Sequence, residues 1–209
     1  MKDTRSKILD TAERLFAAKG IDAVSLRQIN ASAGVSPSVL HYHFGGRDEL
    51  IEALLERRLP DIGAQRAAML DELQSRGRPP QLRELMEVTL RPLAQLALEG
   101  NKAEQRFVKV LARLHLERNA VYERVAMKHY PVNRPATLEK MIQLYPQHPP
   151  RHLEAKMAMA ISTIFSALAE LEHPLHAWQT QLLQEPLAAQ EFQQVLLDFV
   201  CGGVIAGDA

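Results

Sequence analysis

The chain is nearly without cysteine. Of its 209 residues a single one, Cys201, carries a thiol. That excludes an intramolecular disulfide and any zinc knuckle built on paired cysteines, and it suits a reducing compartment. A lone cysteine of this kind reads as a small buried side chain. Net charge is missing too: 25 basic and 25 acidic side chains cancel. The molecule as a whole exerts no broad pull on nucleic acid or anionic membrane, so a polyanion partner has to be met by a local patch. Met157–Ala169 is the longest nearly uncharged apolar segment, shorter than the roughly 20 residues that span a bilayer. The N-terminus MKDTRSKIL lacks the apolar stretch of a signal peptide. The expectation is a soluble cytoplasmic protein with no membrane partner.

Catalytic signatures are absent as well. There is no GxSxG, no Gly-rich phosphate cradle and no HExxH. Glu170 and His173 make one E-x-x-H, whereas a di-iron bundle needs two and further glutamates. His148 and His152 are four apart, but Pro149-Pro150 between them prevents a regular helix. His41 and His43 are two apart, which places them on different faces of a helix rather than at the i, i+4 spacing that chelates. No enzyme activity, metal or cofactor is expected.

What the chain does have is 46% hydrophobic content, enough for a core in one large or two small domains, and a helical period almost throughout. Ile8, Ala12, Leu15 and Phe16 form a stripe over a first helix at about 4–19, stopped by Lys19-Gly20. Ser25 and Gln28 have capping-box spacing for a second helix at about 26–33. Gly34 stops it, and Ser36-Pro37 restarts a third with Ser as N-cap and Pro at its first position. Val35, Val39 and Leu40 face inward there, leaving Pro37, Ser38, His41, Tyr42 and His43 outside. Gly45-Gly46 ends it, and Arg47-Asp48-Glu49 opens a fourth helix with acidic residues where the dipole favours them.

Two short helices joined by a tight glycine turn describe a helix-turn-helix unit, whose second helix enters the major groove. With these residues in place the first fifty positions resemble the DNA-binding domain of TetR/AcrR-type bacterial transcriptional repressors. The resemblance rests on AERLFAAKG, SLRQI, AGVS and LHYHF followed by a basic residue and an acidic pair, and covers about a quarter of the chain. Asn30 departs from it, since the family more often has alanine there.

The resemblance implies an all-α fold: residues 1–48 as a three-helix DNA-binding domain and 49–209 as a helical effector-binding and dimerisation domain. It implies that Ser25 and Ser36 offer hydroxyl and N–H groups to phosphates, and that Arg27 reaches a phosphate or a guanine edge. Pro37, Ser38, Val39 and His41 face bases. Tyr42 and His43 sit at phosphate and packing positions, and Arg47 acts as a backbone clamp. Up to residue 48 there are seven basic against five acidic side chains, a weak field that a two-fold dimer would double.

Beyond that unit, the fourth helix meets Pro60, where it should stop or kink before continuing over 61–75. Further helices are expected at 82–99 with an interruption at Pro92, at 102–116, 119–130, 136–145 and 153–172. A loop then runs to about 187, with one turn around Trp178–Leu183. Met86, Leu90, Phe107, Val110, Leu111, Leu114, Met127, Met141 and Phe165 are candidates to line an apolar cavity between helices. Arg106, Arg113 and His115 are candidate anchors for an acidic head group. The spacing around ARLHLER and LYPQHPP faintly resembles fatty-acid- or acyl-CoA-responsive members of the family. Two stripes near the C-terminus, Ile161, Phe165 and Leu168, then Phe192, Val195, Leu196 and Phe199, are candidate dimer faces. The expected partners are double-stranded operator DNA, a small-molecule effector and a second copy of the chain. The alternative is a helical enzyme or adaptor without sequence-specific DNA binding.

Overall fold

The computed structural model describes residues 3–130, 133–169 and 187–205, and among them every regular element is a helix. The first three are α1 (Thr4–Lys19), α2 (Leu26–Ala33) and α3 (Pro37–Phe44). α1 buries Ile8, Leu9, Ala12, Leu15 and Phe16, and stops where the Gly20 N–H returns to the Phe16 carbonyl. The capping box at α2 is complete: the Gln28 N–H donates to Ser25 Oγ at 3.2 Å and the Ser25 N–H to Gln28 Oε1 at 2.7 Å. Gly34 then takes φ 64, ψ 41, a left-handed turn that a side chain resists. The cap expected at α3 differs. Ser36 precedes the helix, but its hydroxyl caps no backbone N–H and lies 2.8 Å from Ser38 Oγ.

Pro60 neither stops nor kinks a long fourth helix. α4 (Arg47–Leu55) ends five residues before it, and α5 (Leu59–Ser75) begins with Pro60 in its first turn, where the missing N–H would have had no partner anyway. The opposite happens at Pro92, which lies inside α6 (Leu82–Ala94). The helix continues through it without a break and passes into a wide π turn over Gln95–Glu99. The remaining helices are α7 (Lys102–Leu116), α8 (Ala120–His129), α9 (Asn133–Leu144), α10 (Pro150–Ala169) and α11 (Ala189–Ile205). The expected turn at Trp178–Leu183 and the Glu170/His173 pair lie outside the described residues.

α10 sits centrally, against α6, α7, α9 and α11; α1 packs on α7, and α4 and α5 pack on α8. The core between them absorbs Met86, Leu90, Phe107, Val110, Leu111, Leu114 and Met141, all essentially inaccessible. Each large side chain so buried stabilises the fold by about 1.5–3 kcal/mol. Gly63 lets α5 approach α8: a Cβ there would lie 2.6 Å from the His129 carbonyl oxygen. No helix among the described residues is long and apolar enough to cross a membrane.

Candidate nucleic-acid interface and internal cavity

α3 buries only Leu40 and Phe44 against the rest of its unit. Arg27, Pro37, Ser38 and His41 are exposed, Val39 and His43 are half-buried, and Tyr42 is 85% exposed. An aromatic ring left that open in a helix of two turns is unusual for a monomer surface and suits a partner. Tyr42 meets His43 edge-on at 5.3 Å. A shallow hollow runs beside it, lined by Thr4, Gly34, Val35, Ser36, Ser38, Val39, Tyr42 and His43. Lys7 stands over its edge, with Nζ 3.8 Å from where a Gly34 Cβ would sit. Thr4 and Lys7 were invisible to the motif because they lie on α1 and reach this face only after folding.

Two expected phosphate contacts look different in three dimensions. Ser25 Oγ is engaged within its own capping box. Arg47 turns inward: its guanidinium donates to the Val24 carbonyl at 2.6 Å and to that of Ile21, and lies 5.7 Å from the centre of the Phe16 ring. It ties the start of α4 to the α1–α2 turn rather than standing free as a backbone clamp.

A second feature is a cavity of about 510 Å³ among α5, α6, α7, α8, α9 and α10. Of the residues expected to line it, His115, Met127 and Phe165 do. Met86, Leu90, Phe107, Val110, Leu111, Leu114 and Met141 do not, because they fill the core on the other sides of the same helices. Arg106 and Arg113 are also elsewhere. Arg113 donates to the Phe16 carbonyl at 2.7 Å, and Arg106 approaches Glu13 at 4.0 Å. Glu13, 1% exposed, is held mainly by Arg58 at 2.9 Å. These arginines fasten α1 to the larger helical unit.

His115 stacks on Phe165 at 4.4 Å, meets Tyr122 edge-on at 5.7 Å, and places Nε2 3.5 Å from Ser162 Oγ. Deeper in the wall are two residues the sequence reading missed, Arg66 and Tyr130. Arg66 Cζ lies 4.7 Å from the Tyr130 ring centre, and its Nη2 donates to the Thr89 carbonyl at 2.9 Å. Burial pushes the Tyr130 phenol up to about 12, against the pull of the Arg66 charge. A signal was available: Arg66 occupies the buried stripe Leu59, Ile62, Gly63, Arg66, Leu70 and Leu73 of α5, an arginine at a core register.

One side of α8 thus walls the cavity through Tyr122, Ala126 and Met127, with Tyr130 just beyond its end. The other side grips α4 and the turn after it. Arg124 pairs with Glu52 at 2.8 Å, and Lys128 and His129 pair with Glu56 at 2.7 and 2.9 Å. The dimer stripes divide differently from the expectation. Phe165, Leu168 and Leu196 are spent in the monomer core and Ile161 and Phe192 are half-buried, while Val195 and Phe199 stay exposed on α11, and Met159 on α10. Arg83 on α6 holds Asp198 and Gln194, fixing α11 with Phe199 outward. Among the described residues no three His, Cys, Asp or Glu side chains group as metal ligands.

An exposed recognition helix after a glycine turn, on a unit clamped to a hollow helical bundle, defines a helix-turn-helix DNA-binding transcription regulator. Residues 8–54 match the family described as bacterial regulatory proteins, tetR family, and residues 87–203 match the tetracyclin repressor-like C-terminal domain. The chain belongs to the TetR family. The HTH-type transcriptional regulator SrpR of Pseudomonas putida is 30% identical over 129 residues, 54% of this chain and 59% of its own length. TtgW of the same species, an uncharacterized HTH-type transcriptional regulator, is 33% identical over 103 residues, 43% of this chain and 74% of its own. In fold, the chain resembles the ketosteroid transcriptional regulator KstR2 of Mycobacterium tuberculosis at 21% identity and TM-score 0.59, over 97% of this chain and 95% of that one. It also resembles SmeT in its triclosan complex, at 17% identity and TM-score 0.56, over 99% and 96%.

Proposed function

We propose that the chain is a homodimeric repressor released from its operator when a small, largely apolar effector fills the cavity. The observation that carries this reading is the position of α8, which walls the cavity on one side and is ion-paired to the α4 segment on the other. An effector that prefers one placement of α8 shifts the population of α4, and with it α1–α3, toward that placement. Two copies paired through Val195, Phe199 and Met159 then lose the spacing of about 34–36 Å that matches successive major grooves.

In this reading residues 1–48 bind DNA and 49–209 bind effector and partner. Pro37, Ser38, Val39 and His41 read bases, Arg27, Ser36, Tyr42 and His43 hold phosphate or the groove wall, and Lys7 and Thr4 support them from α1. Arg47 and Ser25 set the geometry of the unit instead of contacting phosphate by side chain. A cavity of about 510 Å³ suits a ligand of ordinary drug or lipid-fragment size, so the fatty-acyl class raised by the sequence remains within reach.

Mobility-shift titration of the purified full-length protein against the DNA upstream of its own gene tests this reading. A sequence-specific shift with two-fold symmetric protection, lost on adding an effector, is the expected result. Absence of a specific shift with every upstream fragment would sink it and favour a helical adaptor, whereas identical inter-domain spacing in DNA-bound and effector-bound crystals would refute the release mechanism alone.

A further inference from the structure

The Arg66–Tyr130 corner of the cavity carries chemistry that an apolar pocket does not need. Arg66 is 9% exposed and lies on the core stripe of α5. It donates once, to the Thr89 carbonyl, and no carboxylate among the described residues pairs with it. Among the described residues its Nε has no hydrogen-bond partner, and neither has the Tyr130 hydroxyl oxygen; both atoms are fully enclosed. Two neighbouring polar groups are thus left unsatisfied on one wall, although buried donors are almost always paired. A buried guanidinium without a counter-charge is costly unless something else supplies that charge.

The rest of the wall narrows the choice. Among the described residues the other charged linings are Arg118, which is exposed, Glu123 and, when protonated, His115. Two guanidiniums therefore stand against one carboxylate, which disfavours a cationic ligand. Met157, Ile161 and Phe165 line the same cavity from α10 and offer an apolar bed.

From this we infer that the effector is an amphiphile with one free carboxylate, which draws the enclosed Arg66 Nε–H and Tyr130 O–H out onto its oxygens by a turn of the two side chains while its apolar body lies along Met157, Ile161 and Phe165. The inference rests on reading the cavity as the effector site. It separates the two acyl classes, because a coenzyme A thioester has no carboxylate at its acyl end and brings several phosphates that this wall does not match. A planar guanidinium edge suits a carboxylate in particular, since it can donate two parallel hydrogen bonds.

The test uses the full-length protein and matched probes: decanoate and 3-phenylpropionate, each beside its primary amide, with decanoyl-coenzyme A as a third probe. Binding is followed by calorimetry and release by anisotropy of labelled operator. The acids should bind about tenfold to hundredfold more tightly than their amides, the range expected for hydrogen bonds to a charged group. Arg66→Gln should erase that ratio. Tyr130→Phe removes a hydroxyl that bonds to nothing among the described residues, so the fold should stand while acid affinity falls about threefold to tenfold and amide affinity does not change.

Equal binding of acid and amide, tighter binding of decanoyl-coenzyme A than of decanoate, or an undiminished acid preference in Arg66→Gln would each overturn the inference. In all three cases operator release by the bound probe would leave the effector-site reading intact. If no probe binds while the specific operator complex forms, the inference falls as well. Should Arg66→Gln fail to fold, the acid-to-amide ratio of Tyr130→Phe decides, and an unchanged ratio counts against the proposal.

Discussion

Glu56 is the joint on which the proposed release mechanism turns, and Glu56→Gln isolates it. The carboxylate accepts from Lys128 Nζ at 2.7 Å through one oxygen and meets His129 Nε2 at 2.9 Å through the other. Glutamine keeps the shape and removes the charge. Lys128 is mostly exposed, so that pair is worth roughly 0.2–1 kcal/mol. The His129 pair is more enclosed, at 15% and 28% side-chain exposure, and adds about 1 kcal/mol when His129 is protonated. Together they amount to about 1–2 kcal/mol, within the range of typical coupling energies between two sites. Losing that coupling should shrink the factor by which saturating decanoate weakens operator binding by about fivefold to thirtyfold. Decanoate affinity itself should hardly move, because Glu56 does not line the cavity. Anisotropy titrations of labelled operator, with and without decanoate, measure both quantities, and a cycle with Lys128→Met apportions the pair. An unchanged release factor in Glu56→Gln, or equal losses in operator and decanoate affinity, would refute α8 as the lever.

Other changes probe the remaining claims. Arg47→Ala should cost about 1.5–3 kcal/mol of unfolding free energy through its two carbonyl contacts and leave the salt slope of operator binding unchanged. A slope lower by about one would restore the phosphate clamp. Phe199, 69% exposed on α11, should be essential to the dimer, so Phe199→Glu should elute as a monomer and lose operator affinity; an unaltered elution volume would clear that face. Gly63→Ala should lower stability by about 1–3 kcal/mol, because its Cβ would press on the His129 carbonyl at 2.6 Å. A stability gain of about 1 kcal/mol, as helix propensity alone predicts, would contradict the close approach. Glu84 is held down to about 2 from 4.5, first by the Arg78 guanidinium and then by the Gln81 N–H. Its folded value is depressed, so its contribution is complete above 4.5 and drains away as pH falls toward 2. Glu84→Gln should lower stability near neutrality, flatten the curve across that interval and match the wild type below about 2.

Much of the fold is written in short-range chemistry. The capping box of Ser25 and Gln28, the left-handed Gly34 and the Pro37 start mark α2 and α3 because each is a contact within four residues. The same holds for the outward faces of His41 and Tyr42, which follow from the helical period once Leu40 and Phe44 face inward. Pro60 and Pro92 were harder to place. A proline shows where a backbone N–H is missing, not whether the chain meets that gap with a helix start, as at Pro60, or carries the helix through it, as at Pro92.

By itself, then, the sequence determined the all-helical character, the helix-turn-helix unit and the family to which the chain belongs, since all three depend on local spacing. The cavity did not follow from it. A stripe tells which face of a helix points inward, but whether that face meets neighbouring atoms or a void depends on how six helices pack at once. For that reason Phe107 and Leu111 became core, while Phe165 on α10 met both core and cavity. Tertiary structure alone paired Arg66 with Tyr130, turned Arg47 onto the Ile21 and Val24 carbonyls, and set α8 between the cavity and α4. Charged side chains go where folded distance, rather than sequence distance, puts their partners.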